Sequence, residues 1–256
     1  MDNIQTSLLK VETFSKKSQA SQLLLKTGDV VVALNNEIYS KGDNTLVDDL
    51  NFYKKEEKKT LITIYRNNSF FDILVFGSLG CKFIPTTEEE TNRISQEFSK
   101  KKIYDIDELN EYIAMRDTRN NYEIINKFKS IMAGIFPPLW LAYHNSWWLL
   151  GMFSILSFLF LSINFWLFIF GWICVSLYCY KGNAQLLISF AILAGKNYSM
   201  IFCAKNIEEA QIIIRSINEK SKFKYTKLED PKVEEAEENE NKENKNNISE
   251  SKEALV

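Results

Sequence analysis

Histidine occurs once in this chain, at His144, and cysteine four times, as Cys81, Cys174, Cys179 and Cys203. A lone histidine cannot supply the His-Glu-x-x-His of an intramembrane metalloprotease. With none outside the apolar part of the chain, a Ser-His-Asp hydrolase is also disfavoured. The cysteines show no CxxC or CxxH spacing and two lie in apolar surroundings, so neither a metal site nor a disulfide framework is expected, and a reducing compartment fits them. Basic blocks are missing too. The 31 basic and 33 acidic side chains nearly balance, which argues against nucleic acid as a partner. Met1 to Leu9 has no basic start followed by an apolar stretch, so no signal peptide is expected and the first part of the chain is expected in the cytoplasm. The largest absence is of charge. From Ser130 to Tyr180, 51 consecutive residues hold no Asp, Glu, Lys or Arg, and all 5 Trp fall there. Such a run is long enough for two membrane passes of about 20 residues or slightly fewer.

What is present divides the chain into four parts: 1–85, 86–121, 122–217 and 218–256. In the first, Leu8 to Phe14 and Asp29 to Leu34 read as strands, the second bounded by Gly28 and by Asn35-Asn36. Leu61 to Tyr65 and Phe70 to Phe76 flank Arg66-Asn67-Asn68-Ser69 and read as a hairpin. Ser21 to Leu25 suits one helical turn, and Leu46, Leu50 and Tyr53 stand at the spacing of an amphipathic helix.

Ser18-Gln19-Ala20 through Leu24-Leu25-Lys26-Thr27-Gly28-Asp29-Val30-Val31-Val32-Ala33-Leu34-Asn35-Asn36 resembles the core of a PDZ domain, and the likeness covers about 75 residues. One departure bears on function. The Gly-apolar-Gly-apolar loop that binds a carboxylate is missing from the N-terminus, but Gly77-Ser78-Leu79-Gly80-Cys81-Lys82-Phe83 follows the last strand. Bacterial PDZ domains resemble circular permutants, and on that likeness Ser78, Leu79, Gly80 and Cys81 form the carboxylate loop. Cys81, Lys82 and Phe83 then begin the strand that pairs with a ligand, with Leu46, Leu50 and Tyr53 as the opposite wall. A glycine-rich turn lets backbone N–H groups converge on an anion, and a free strand edge accepts an extended peptide. The competing reading, a plain surface turn in a structural spacer, stays open.

The second part is expected to be a solvated helical connector, with Ile106, Leu109 and Ile113 at helical spacing. In the third, 131–143 is broken by Pro137-Pro138 and reads as an interfacial segment. Residues 146–161 and 165–180 read as two crossings joined at Ser162-Ile163-Asn164, 184–194 as an amphipathic helix, and 198–217 as a strand and helix. Lys127, Lys129, Lys181 and Lys196 flank the pair and none lies in its link, so both termini are expected on the cytoplasmic side. Phe128, Ala133 through His144, Trp147, Gly182-Asn183 and Ala204 through Ala210 resemble an uncharacterised family of small proteobacterial inner-membrane proteins, with Asn145 where the family commonly has arginine. The fourth part, rich in Glu, Lys and Asn, is expected to be disordered.

The expected fold class is therefore α+β. It comprises a PDZ-like, partly open β-barrel with two helices, an α-helical membrane hairpin with a short β/α cap, and a disordered tail. The expected function is that of a bacterial inner-membrane scaffold, not an enzyme and needing no cofactor or metal, that holds protein C-termini or extended peptides beside membrane lipid. A non-catalytic accessory subunit of a membrane protease or transporter is the alternative. The chain's own end, Ala254, Leu255 and Val256, is a candidate ligand for self-association.

Overall fold

The computed structural model of the chain describes residues 7–144, 146–229 and 231. Among them, β1 (Leu9–Phe14), β2 (Val30–Leu34), β3 (Glu37–Ile38), β4 (Thr60–Arg66), β5 (Ser69–Val75) and β6 (Cys81–Pro85) come from the first part of the chain. Four more strands, β7 (Asn110–Arg116), β8 (Asn121–Asn126), β9 (Asn197–Ala204) and β10 (Lys222–Phe223), come from later parts. All ten belong to one open sheet in the order β10-β8-β7-β9-β5-β4-β2-β1-β6, with β3 attached to β2. The fold is mixed α+β, but its strands do not close into a separate barrel.

Most of the turns follow from residue chemistry. The β4–β5 hairpin turns on Asn67 and Asn68, at φ of 50° and 59°, a left-handed pair that asparagine tolerates. The short helix α1 (Gln19–Gln22) is capped by Ser18, and α2 (Asp43–Lys55) places Leu46 and Leu50 in the core. Arg66, at the end of β4, reaches the turn before β2. Its Nε and Nη2 donate to Asp29 Oδ1 and Oδ2 at 2.7 and 2.5 Å, and Nη2 also donates to the Leu24 carbonyl at 3.1 Å. Both partners are buried, so each neutralises a charge that would be costly alone.

Helices cover both faces. On one, α2 and α8 (Ile207–Ile217) pack against Ile62, Ile64, Phe71, Tyr112, Ala114 and Phe202. On the other, α3 (Glu88–Phe98) packs Ile94 and Phe98 on Leu8, Val30 and Val32. Further along that face the second half of α7 (Phe165–Leu193) packs Cys179, Leu187 and Ala191 on Ile113, Met115 and Ile125. Between these lie α4 (Ile131–Ile135), α5 (Pro137–Tyr143) and α6 (Trp147–Ile163), the last with no buried residue.

Several expectations are corrected here. The connector is not a solvated helix. α3 is a packed helix, Ile106 lies in a short 3-10 turn, and Ile113 is buried in β7, a strand with neighbours on both edges and helices on both faces. The crossing at 165–180 and the amphipathic helix at 184–194 are one 29-residue helix, because Lys181-Gly182-Asn183 does not break it and the Asn183 Nδ2 anchors that point to the Phe128 carbonyl at 3.0 Å. α7 is the one described helix long and apolar enough to cross a membrane by length and composition, whereas α6 is shorter at 17 residues.

The part expected to be disordered is described at 218–229 and at 231, where it is partly ordered; the expectation for 232–256 lies outside the described residues. Residues 222–223 form β10 parallel to β8, and Gln211 holds both the Tyr225 carbonyl and the Thr226 hydroxyl at 2.7 and 2.8 Å. Phe223 supplies the apolar anchor, lying against Tyr122 and under the Arg215 guanidinium. Ala254, Leu255 and Val256 lie outside the described residues.

Removing one partner of a buried pair is costly. Asp29→Ala is expected to lower the stability of the full chain in detergent by about 3–5 kcal/mol, read as a lowered denaturant midpoint. Lys227→Ala, which breaks the exposed pair with Glu208, should leave the midpoint unmoved.

Candidate functional site

β6 is the last strand of the sheet and pairs antiparallel with β1, Lys10 opposite Ile84 and Val11 opposite Phe83. Val11 exchanges both backbone bonds on the β2 side, accepting from Gly28 N at 2.9 Å and donating to Asp29 O at 2.7 Å, while Thr86 N donates to Leu8 O at 2.9 Å. Alternation along an antiparallel ladder then turns the backbone groups of Thr86 and Ile84 inward to β1, and those of Phe83 and Cys81 outward. No described strand occupies that outer edge. Pro85, which has no N–H, ends it.

The loop before β6 has an ordered backbone. Gly77 and Gly80 take φ of 93° and 68°, values that side-chain-bearing residues rarely adopt. In the amide orientation that satisfies all its neighbours, Gln19 donates to the carbonyls of Gly77 and Ser78 at 3.1 and 3.2 Å and accepts from Phe76 N at 2.9 Å. The Leu79 carbonyl accepts from Ala20 N at 2.9 Å. Three successive carbonyls thus point at α1. In a trans peptide the N–H opposes the C=O, so the N–H groups of Ser78, Leu79 and Gly80 turn the other way. Gly80 N makes a long 3.4 Å bond to Ser78 Oγ, and no described group accepts from Ser78 N or Leu79 N. Neighbouring N–H groups turned to one side are the arrangement by which a backbone can hold an anion. Nearby, the stem of Lys54 from α2 lies over Gly77, so close that a Cβ on Gly77 would sit 2.7 Å from Lys54 Cδ.

The expected site residues divide by burial. Lys82 and Gly80 are exposed, and Ser78, Cys81 and Phe83 are half-buried beside the loop. Leu46, Leu50 and Leu79 are core residues, at most 1% exposed and in one cluster, so they shape the wall from behind without presenting surface. Of the α2 residues expected to line the groove, Tyr53 alone reaches the surface, half-buried with Phe52 edge-on at 5.8 Å. Sequence reading missed Gln19 and Lys54. Both act on the loop from far away in the chain, and nothing local marks them.

A separate cleft of about 380 Å³ lies where β5 and β9 part, lined by Gln19, Phe76 and Ile201 with Glu111 held between Lys59 and Lys127 at 3.6 and 3.4 Å. Glu111 is thus paired with both lysines, and the three together carry one net positive charge. Gln19 lines this cleft as well as the loop.

No family model and no curated protein matches the chain.

Burial, with the Asp29 carboxylate adding to it, pushes the Cys81 thiol up to about 11. A raised pKa leaves less thiolate near neutrality. At pH 8 the alkylation of Cys81 should run about a hundredfold slower than that of an ordinary thiol of pKa 9.0. The rate should keep rising until about pH 11, as followed site by site by mass spectrometry.

Proposed function

We propose that the chain is a non-catalytic, membrane-anchored peptide-binding protein of a bacterial inner membrane. In this reading its first part acts as a permuted PDZ-like module and both termini lie on the cytoplasmic side. The outer edge of β6 takes up an extended peptide by backbone pairing at Cys81 and Phe83. The loop Ser78-Leu79-Gly80 receives a terminal carboxylate. The observation that carries this reading is the loop's backbone: with the carbonyls of Gly77, Ser78 and Leu79 committed to α1, the N–H groups of Ser78 and Leu79 have no acceptor among the described residues and lie beside an unpaired strand edge. Lys54 adds a positive charge within a side chain's length of the loop, which favours a carboxylate further. Membrane attachment is supported by α7 and by the exposed apolar surface of α6.

The recognition elements are mostly main-chain groups, so discrimination among clients rests on the half-buried surfaces of Tyr53, Cys81 and Phe83.

Position 80 is a poor place to test the idea. Any Cβ there meets Ser18 Cβ at 2.9 Å, and the positive φ adds strain. Ser78 is the better site, since it is partly exposed and replacing the hydroxyl by a carboxylate adds only charge and two heavy atoms. Full-length protein in detergent should bind an eight-residue peptide ending Ala-Leu-Val with a free carboxylate. Amidating the peptide, or Ser78→Asp in the protein, should each weaken binding about tenfold or more, as measured by fluorescence anisotropy. Equal affinity in all three cases would remove the carboxylate-loop reading.

A further inference from the structure

We infer that the α6–α7 hairpin enters the bilayer from one face and turns back inside it, so that Asn164 lies in hydrocarbon and does not emerge into water on the far side. This rests on the membrane attachment proposed above and sharpens it.

The first observation is length. Tyr143, Trp147, Trp148 and Tyr178 are 81, 64, 59 and 66% exposed and ring the base of the hairpin, and amphipathic rings of this kind settle at headgroup level. Lys129, over the Tyr180 ring at 5.8 Å, and Lys181 mark the same level. Beyond that ring, 149–163 provides 15 residues on one arm and 165–177 provides 13 on the other. At 1.5 Å per residue they reach about 22 and 20 Å, short of a hydrocarbon core of about 30 Å.

The second observation is the tip. A loop that emerged into water would present Leu161, Ile163, Phe165 and Trp166, which are 47, 67, 58 and 75% exposed, with no charged residue beside them. Apolar surface of that extent belongs in acyl chains.

The third is how the reversal handles its polar groups, since hydrocarbon tolerates a chain reversal where those groups find partners within the protein. The turn takes one residue. Asn164 N donates to Phe160 O at 3.0 Å, its carbonyl accepts from Phe168 N at 3.1 Å, and its Oδ1 accepts from Trp166 N at 2.8 Å. Ser162 Oγ folds back onto Phe158 O at 2.8 Å. The arms also approach closely near this end, where a Cβ on Gly171 would stand 2.8 Å from the Phe160 ring. The result is a closely packed pair of arms with an apolar tip and a reversal of a single residue.

Thiol accessibility tests this on the full chain in membrane vesicles. Cys81 and Cys174 are replaced by alanine, and the buried Cys179 and Cys203 are kept, their background being read on the chain without an added cysteine. Ser162→Cys and, separately, Leu161→Cys probe the tip, and Asn51→Cys on exposed α2 reports which face carries the sheet. With a membrane-impermeant maleimide, Asn51→Cys should react in one vesicle orientation. The tip cysteines should react in neither until detergent is added. Reaction of the tip in the orientation opposite to Asn51→Cys would mean that both arms cross, and would overturn the inference while leaving the anchor intact. Reaction of the tip in the same orientation as Asn51→Cys would mean that the hairpin is not inserted, and the membrane reading would fall with it. Peptide binding is measured separately on the unsubstituted chain, because Cys81 belongs to the proposed groove, and is independent of either outcome.

Discussion

The carboxylate of Asp72 sits almost fully buried in the middle of the sheet, and the arrangement of everything on either side depends on how it is neutralised. It lies on β5 opposite Cys203 of β9, where strands from the first part of the chain meet strands that carry the membrane helices. Thr63 Oγ1 donates to one oxygen and Lys101 Nζ to the other, both at 2.6 Å. An unpaired carboxylate there would cost several kcal/mol. The pair thus ties β4, the segment after α3 and the β5–β9 seam to one point. Charge on both sides of the seam pushes the same way on its neighbour: burial first, then the Glu111 and Asp72 carboxylates, raise the Cys203 thiol to about 12. Lys101 follows α3 by three residues, so the pair adds to the packing of Ile94 and Phe98 on the same face of the sheet.

Much of the first part of the chain was legible because its signals are local. β4 and β5 announce themselves by β-branched and aromatic runs around Asn67-Asn68, and the glycines before β6 mark a turn into an edge strand. β7 was misread because both of its faces are buried, Tyr112 and Ala114 under α8, Ile113 and Met115 under α7, so the alternation that identifies a strand is lost. α3 looked solvated because Thr91, Ile94 and Phe98 are its whole buried stripe among acidic and polar neighbours. The continuity of α7 could not be read either. Lys181-Gly182-Asn183 looks like an interruption until Asn183 is seen to be buried against the Phe128 carbonyl. At the candidate site, the loop and strand were legible from Gly77 and Gly80, whereas the contribution of Gln19 is purely tertiary. The sequence also could not tell a wall residue from a core residue. Leu46, Leu50 and Leu79 are apolar at the right spacing for either role, and only packing assigns them to the interior.

The loop shows how a backbone can be given a preferred polarity without a charged side chain. Glutamine can donate and accept at once, so Gln19 holds two carbonyls and one N–H in a single arrangement. Acidic or basic residues at position 19 could satisfy one set of these groups but not both. The surrounding positive-φ glycines remove the steric cost of this arrangement, and the buried Leu79 side chain fixes the loop to the core.

The order of the strands also works as a ruler. β8 adjoins the hairpin through Phe128 and Asn183, while β6 is seven strand positions away along the sheet. At about 4.8 Å per position the two are separated by at most about 34 Å, and twist shortens that distance. A client anchored in the same membrane next to the hairpin would have to pay out about ten residues of extended chain, at about 3.3 Å each, before its end could lie along β6. On the proposed peptide-binding reading, clients whose folded part sits close to the bilayer with a shorter tail would be out of reach from that position, however well their last residues suited the edge of β6. Tail length would sort candidates before side-chain chemistry does.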